Sequence, residues 1–571
     1  MHRTKTIFKQ LLDRVLMSLF LLIVAGCAQG DTRPKPESIA DTILANGRIY
    51  TVDDDQPWAE SIAIKGDRIV AVGSNAEVSK FRGESTHQID LGGRFTMPGF
   101  TDSHTHFWLG EMYRTFVQLG DATSLAEVKQ RISAFAEAHP DKPWILGWGV
   151  AGSYPDLPAG GLHKDILDEV VPDRPVFISS VDHFAWVNSL ALEAGGISKD
   201  TPDPKKGGAI VRQAGNEPTG ILVDGTWLNF HAVIPAFSAE EELARFRRGI
   251  AELNSLGITR AVNVGWVLPP GDRLAQAGSL AALRKEGDLT LRFSLADFVT
   301  PDMVVEDFTD DWFDTLESAR EQYHDDFISV NSVKFFMDGP VSDIYWEHDD
   351  FVKLVAKLDK RGFQVMTHAW EGTAISQVLD GYEAVLAENG NPNRHRIEHV
   401  VTPHAEDFSR FKALGVMAVV QPNWILYPGM ETLTPEMLQQ LSGDGYSRWK
   451  AVRSLIDHGA TVAFSSDWPA DTSNPLLGIR MAVLRQSLNK LPEGGFFPEQ
   501  RITVAEAIRA NTLNGSYAIQ REQDEGSITV GKLADIIVLS DNLLEIHPND
   551  IPNVKVETTI VGGKVVYQIP E

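Results

Sequence analysis

Met97-Pro98-Gly99-Phe100-Thr101-Asp102-Ser103-His104-Thr105-His106 is the stretch on which the reading of this chain turns. An apolar strand, placed over Phe95 to Phe100, runs out into His-x-His. In extended backbone, residues i and i+2 project to the same side. His104 and His106 can therefore grip one ion from a single strand end. A lone His-x-His also arises by chance, so its weight depends on the rest of the chain.

Further along, short apolar runs alternate with helical patterns. Candidate buried strands are Thr259 to Val264, Leu291 to Ala296, Val330 to Phe336, Phe363 to Thr367, His395 to Glu398, Val416 to Val420 and Thr461 to Ser465. Helical segments such as Asp350 to Lys360 and Thr373 to Ala387 lie between them. With the first strand, this pattern predicts a TIM-like (β/α)8 barrel. Residues from about 120 to 237 exceed the barrel count and read as an insertion after the first strand.

Polar residues recur at the C-terminal ends of these strands. Lys334 stands in Val333-Lys334, shortly before Asp338-Gly339; His368 follows Phe363 to Thr367. His399 follows Arg396-Ile397-Glu398, and Asp467 follows Ser465-Ser466. Barrel enzymes place their reacting groups at that end. Singly, each residue has a plain structural role: a satisfied buried histidine, a lysine paired with a carboxylate such as Asp338, an aspartate capping a turn. Several strand ends behaving alike point to one shared site.

Both ends of the chain read as short strands. Thr42 to Val52, Ser61 to Ile64 and Arg68 to Val72 are rich in Ile, Val and Ala, with turns at Asn46-Gly47 and Gly66-Asp67. Ala534 to Leu539 and Val556 to Tyr567 match them, with Gly562-Gly563 as a hairpin turn. A small β-sandwich built from both termini is expected, from residues 42–96 and 521–571, around a barrel over 97–520.

The passages Pro98 to His106, Val333-Lys334 with Asp338-Gly339, Arg396 to His399 and Ser466-Asp467-Trp468-Pro469 resemble the amidohydrolase superfamily. So do Gly526-Ser527-Ile528 and Gly531-Lys532-Leu533-Ala534-Asp535. The likeness runs from Thr42 to Tyr567 and is greatest to amidohydrolase family 3, which includes N-substituted formamide deformylases. It implies a metal-dependent hydrolase acting on a non-peptide carbon–nitrogen bond of a small molecule. It further implies two divalent ions, zinc by preference. His104, His106 and Asp467 would hold the more buried ion, and His368 and His399 the other. Lys334 would bridge them as a carbamate. Asp467 would also be the catalytic acid and base. Ester or carbamate hydrolysis on the same site, or a silent binding lipoprotein, are the competing readings. The resemblance also implies a homodimer.

His183, in Val181-Asp182-His183, matches a family passage that usually reads Asp-Gly-His and is a candidate substrate contact. Trp108 and Trp424, near strand ends, are candidates to line an apolar pocket.

Before all this, Arg3, Lys5 and Lys9 precede an apolar run from Val15 to Ala25 that ends in Val24-Ala25-Gly26-Cys27. That is the layout of an export signal, and its end resembles a bacterial lipobox. Residues 1–26 are expected to be removed, Cys27 to carry a lipid and 27–41 to act as a tether. Ala28, in place of an aspartate, points to the periplasmic side of the outer membrane. Cys27 is the only cysteine among 571 residues, which excludes disulfides within the chain. A net charge of -26 repels phosphate backbones and argues against nucleic acid as a partner.

Overall fold

The computed structural model describes residues 39–570 apart from 181, 266–274, 340–343, 388–389, 427–429, 433–436 and 438–442. The expected signal and Cys27 lie outside the described residues.

The central sheet has eight strands. In chain order they are β1 (Phe100–Thr105), β2 (Ile258–Val264), β3 (Arg292–Phe298), β4 (Ile328–Phe336), β5 (Gln364–His368), β6 (Arg396–Glu398), β7 (Met417–Val420) and β8 (Val462–Phe464). All neighbours pair in parallel. At the remaining seam the Asp467 amide donates to the His104 carbonyl at 2.9 Å, just beyond β8. The result is a TIM-like barrel. Its strands are buried almost throughout, as parallel strands covered on both faces must be.

A second unit joins both ends of the chain. One six-stranded sheet runs Lys564–Gln568, Val556–Val561, Ile536–Leu539, Phe95–Pro98, Arg48–Tyr50 and Trp58–Ala59. A four-stranded sheet is built from Thr42–Ala45, Ser61–Lys65, Arg68–Gly73 and His87–Asp90. Leu44, Ile62, Ile69, Ile536, Val538 and Ile560 share one core, so the unit is a β-sandwich. It is tied to the barrel by a fully buried pair. Arg292 donates to both oxygens of Asp535, at 2.6 and 3.0 Å.

Two sequence expectations need correction. The strand placed over Phe95 to Phe100 is two strands in two units. Phe95–Pro98 pairs with Ile536–Leu539 in the sandwich, and the barrel strand starts at Phe100. The break falls after Gly99, whose amide still donates to the Asp535 carbonyl of the sandwich at 3.0 Å, while the Phe100 amide turns to the Gly257 carbonyl at 2.9 Å. A Cβ on Gly99 would also lie 2.2 Å from the Thr259 side chain. Likewise Thr42 to Val52 divides at Asn46, whose φ of 57° turns the chain from one sheet to the other.

Between β1 and β2 the chain builds a mixed six-stranded sheet, including Ile145–Trp148, Val176–Ser179, Phe184–Val187 and Pro218–Asp224. Its own core contains Val128, Ile132, Ile145 and Ile178. This layer carries His183 to the barrel mouth.

Candidate active site

The six expected residues meet at one end of the barrel. His104 lies in β1 and His106 just after it; Lys334 lies in β4; His368 ends β5; His399 follows β6; Asp467 follows β8. Nε2 of His104 and Nε2 of His106 stand 3.3 and 3.2 Å from Asp467 Oδ1. His399 Nδ1 is 4.0 Å from Asp467 Oδ2. One ligand atom each from His104, His399 and Asp467 lies within 4.8 Å of the others. The His368 ring packs 4.7 Å from that of His399. Lys334 Nζ sits 3.9 Å from the Phe336 ring centre, and that ring stacks on His368 at 4.7 Å.

The electrostatics follow from burial. Desolvation, helped by the neighbouring imidazoles and Lys334, holds His104 and His399 well below the ordinary histidine range. Both rings are therefore neutral and offer lone pairs. Burial also lowers Lys334 to about 8, against the opposing pull of Glu398 and Asp467. Its amine is thus neutral for part of the time near pH 7.

Several of these atoms are buried without a hydrogen-bond partner: His104 Nε2, His399 Nδ1, Asp467 Oδ1 and Lys334 Nζ. An unpaired buried polar atom costs roughly 1–3 kcal/mol. Imidazole nitrogens and a carboxylate oxygen converging this way fit a divalent cation such as zinc.

A ring nitrogen of His104, His106 and His368 is held by a partner outside the cluster. Glu398 Oε2 takes His104 Nδ1 at 2.6 Å, while Oε1 pairs with Arg396 Nε at 2.8 Å. His106 Nδ1 bonds the Val264 carbonyl at 3.0 Å. His368 Nε2 lies 3.3 Å from Asp338 Oδ1. Gln421 opposes the lowering of the His399 pKa, and its Oε1 accepts from the buried Lys450 at 3.4 Å. Such outer contacts fix tautomer and ring direction in metal sites.

Asp467 is aimed by its backbone. Its φ of 56° and that of His399, 66°, lie in the left-handed region, which non-glycine residues occupy at a cost. Asp102 holds the turn in place by accepting the Ser466 amide and hydroxyl at 3.0 and 2.5 Å. Burial raises Asp102 to about 6, and the Ser466 bonds oppose that rise.

A cavity of about 660 Å³ opens over the cluster. His106, Lys334, His368, His399 and Asp467 reach its wall, as do His183 and Trp424. Trp424 stacks on His399 at 5.8 Å. Trp108 is a correction, because it is not among the lining residues. It is buried outside, donating its indole N–H to Glu242 at 3.3 Å. The helix that starts right after His106, Phe107–Tyr113, turns Trp108 away and brings Leu109 and Tyr113 to the wall.

The sequence reading left Glu398, Asp102, Gln421, Lys450 and Asp224 without a role and offered Asp338 as a partner for Lys334. Instead Asp338 accepts the amides of Trp370 and Glu371 and faces His368. Charged residues inside strand-end motifs were the available signal for Glu398, Asp102 and Asp338. Gln421, Lys450 and Asp224 had none.

Residues 88–567 match the family described as the amidohydrolase family. The chain belongs to that family. Membership makes it a hydrolase of carbon–nitrogen bonds other than peptide bonds. The Arabidopsis thaliana protein LONG AFTER FAR-RED 3 is 28% identical over 94% of this chain and 93% of its own. An N-substituted formamide deformylase from Arthrobacter pascens is 26% identical over 92% of this chain and 98% of its own. Among solved structures, an uncharacterized metal-dependent hydrolase from Pyrococcus horikoshii OT3 shares the fold with a TM-score of 0.68. It is 22% identical and covers 89% of this chain and 99% of its own.

Proposed function

We propose that the protein is a metal-dependent amidohydrolase that cleaves an amide-type bond of a small molecule. The observation that carries this is that His104, His399 and Asp467 bring one ligand atom each within 4.8 Å of the others, and that buried polar atoms of these three and of Lys334 lack a hydrogen-bond partner. In this reading His104, His106 and Asp467 would hold one ion, and His368 and His399 would hold a second. Lys334 would join these ligands as a carbamate. Its neutral Nζ adds to the carbon of carbon dioxide, one N–C bond forms, and one proton leaves to solvent.

Divalent ions there supply an acidified water and positive charge for the oxyanion. The chain's own groups do the rest. The Asp467 carboxylate accepts the proton as water attacks the carbonyl carbon, then returns it to the leaving nitrogen. His183 and Trp424 contact the substrate, and the aromatic wall excludes bulk water. A cavity of about 660 Å³ is of small-molecule size.

Purified protein is expected to hold about two zinc ions per chain and to hydrolyse some member of an amide panel. A chelator should abolish turnover and zinc restore it. Zinc-loaded protein inert towards every amide, or faster on matched esters, would count against this reading.

We also propose that Cys27 carries a lipid and tethers the enzyme on the periplasmic face of the outer membrane. The support is the export-signal pattern that ends at this one cysteine. Cells fed radioactive palmitate should label the wild type and not Cys27→Ser. Equal labelling of both, or of neither, sinks the anchor.

A further inference from the structure

His183 belongs to a hydrogen-bonded chain that crosses from the inserted layer to the barrel. Its Nδ1 lies 3.2 Å from Asp224 Oδ1. The Tyr345 hydroxyl donates to the other oxygen of Asp224 at 2.5 Å. The Asp224 side chain is only 2% exposed, whereas that of His183 is 34% exposed and lines the cavity.

The backbone is arranged for this contact. His183 and Asp224 have φ of 60° and 47°, both in the left-handed region, where such residues persist only if their surroundings hold them. The Asp224 amide also donates to the His183 carbonyl at 2.8 Å. Tyr345 arrives from the loop after β4, its amide on the Met337 carbonyl at 2.6 Å. A Cβ on Gly339 would lie 2.4 Å from the Tyr345 hydroxyl, so only glycine leaves that path open.

The chemistry of the chain sets a direction. A carboxylate can only accept, so a neutral His183 keeps its proton on Nδ1 and presents the Nε2 lone pair to the cavity. The His183 ring stands 6.4 Å from that of His368. His183 and His368 thus stand on the same cavity wall, with the acceptor nitrogen on the cavity side of the His183–Asp224 bond.

We propose that Asp224 and Tyr345 are positioning residues that hold His183 as an acceptor for the N–H of the scissile amide. The inference rests on the amidohydrolase reading and narrows it. Substrates are amides that carry that hydrogen. An ester oxygen or an N-methylated nitrogen offers no donor, and each would leave the imidazole lone pair unpaired.

N-Benzylacetamide, N-benzyl-N-methylacetamide and benzyl acetate form a matched test. Their binding to zinc-loaded wild type, Asp224→Asn and Tyr345→Phe would be followed by tryptophan fluorescence, with product release measured in parallel. Wild type should favour N-benzylacetamide over the other two by about tenfold. Asp224→Asn, which can donate to Nδ1 and reverse the tautomer, should erase most of that preference; Tyr345→Phe should weaken it. A purely structural role for Asp224 would lower all three affinities alike. Equal binding of the three by wild type, no binding of any, or a preference that survives Asp224→Asn overturns the proposal. Absence of turnover on any amide with the binding preference intact would instead fault the hydrolase reading.

Discussion

Asp467→Asn is expected to lower kcat by about three orders of magnitude while the fold survives. Asparagine keeps the size of the side chain and one ligand oxygen but cannot take a proton from the attacking water. The backbone here tolerates the change unusually well. Asp467 has φ of 56°, and asparagine is among the few residues that adopt this region readily. The bonds that hold the turn, from Ser466 to Asp102, do not involve the substituted carboxylate. Thermal melting should therefore move little, and KM should change far less than kcat. Turnover on a confirmed amide, zinc content and circular dichroism together check the outcome. Activity near that of wild type would remove Asp467 from its assigned role.

Glu398→Ala is expected to damage stability and metal binding together. Glu398 and Arg396 are both fully buried, and their pair closes at 2.8 Å. Removing the acid leaves a guanidinium in the barrel core with no counter-charge, although it still reaches the Ser103 carbonyl at 2.9 Å. Breaking a buried pair in this way costs about 3–5 kcal/mol. The same substitution frees His104, whose Nδ1 now has its anchor at 2.6 Å. Loss of an outer anchor lowers metal affinity by roughly 10–100-fold. Glu398→Gln keeps a hydrogen-bonding oxygen and should fall between the two. Denaturant midpoints of the zinc-loaded proteins and zinc competition with a chelator measure the two effects separately. Wild-type stability in Glu398→Ala would mean that Arg396 does not depend on it.

The convergence of residues so far apart in the chain at one rim has a specific cause. In a parallel barrel all strands point the same way, so a residue at a strand's C-terminal end reaches the same rim as its counterparts. Apolar runs locate the strands, and the next polar residue locates the rim. This is why His104, His368, His399 and Asp467 could be grouped although they are far apart in the chain. The reasoning fails where a residue's direction is set by something other than strand register. Trp108 is next to a strand end, yet a helix turns it outward onto Glu242. The run Phe95 to Phe100 is continuous in hydrophobicity, yet it serves two sheets. Both halves are buried, so periodicity carries no mark of the boundary.

The order of apolar runs and strand-end polar residues was enough to specify a barrel, a β-sandwich drawn from both ends, and a candidate set of metal ligands. Those features depend on local pattern and on the uniform direction of parallel strands. Only the folded chain decided which atoms face the centre. Glu398, the Val264 carbonyl and Asp338 engage one nitrogen each of His104, His106 and His368, and Asp224 with Tyr345 does so for His183. These contacts join residues from separate strands, loops and the inserted layer. Their partners are chosen by three-dimensional proximity, which no spacing along the chain encodes.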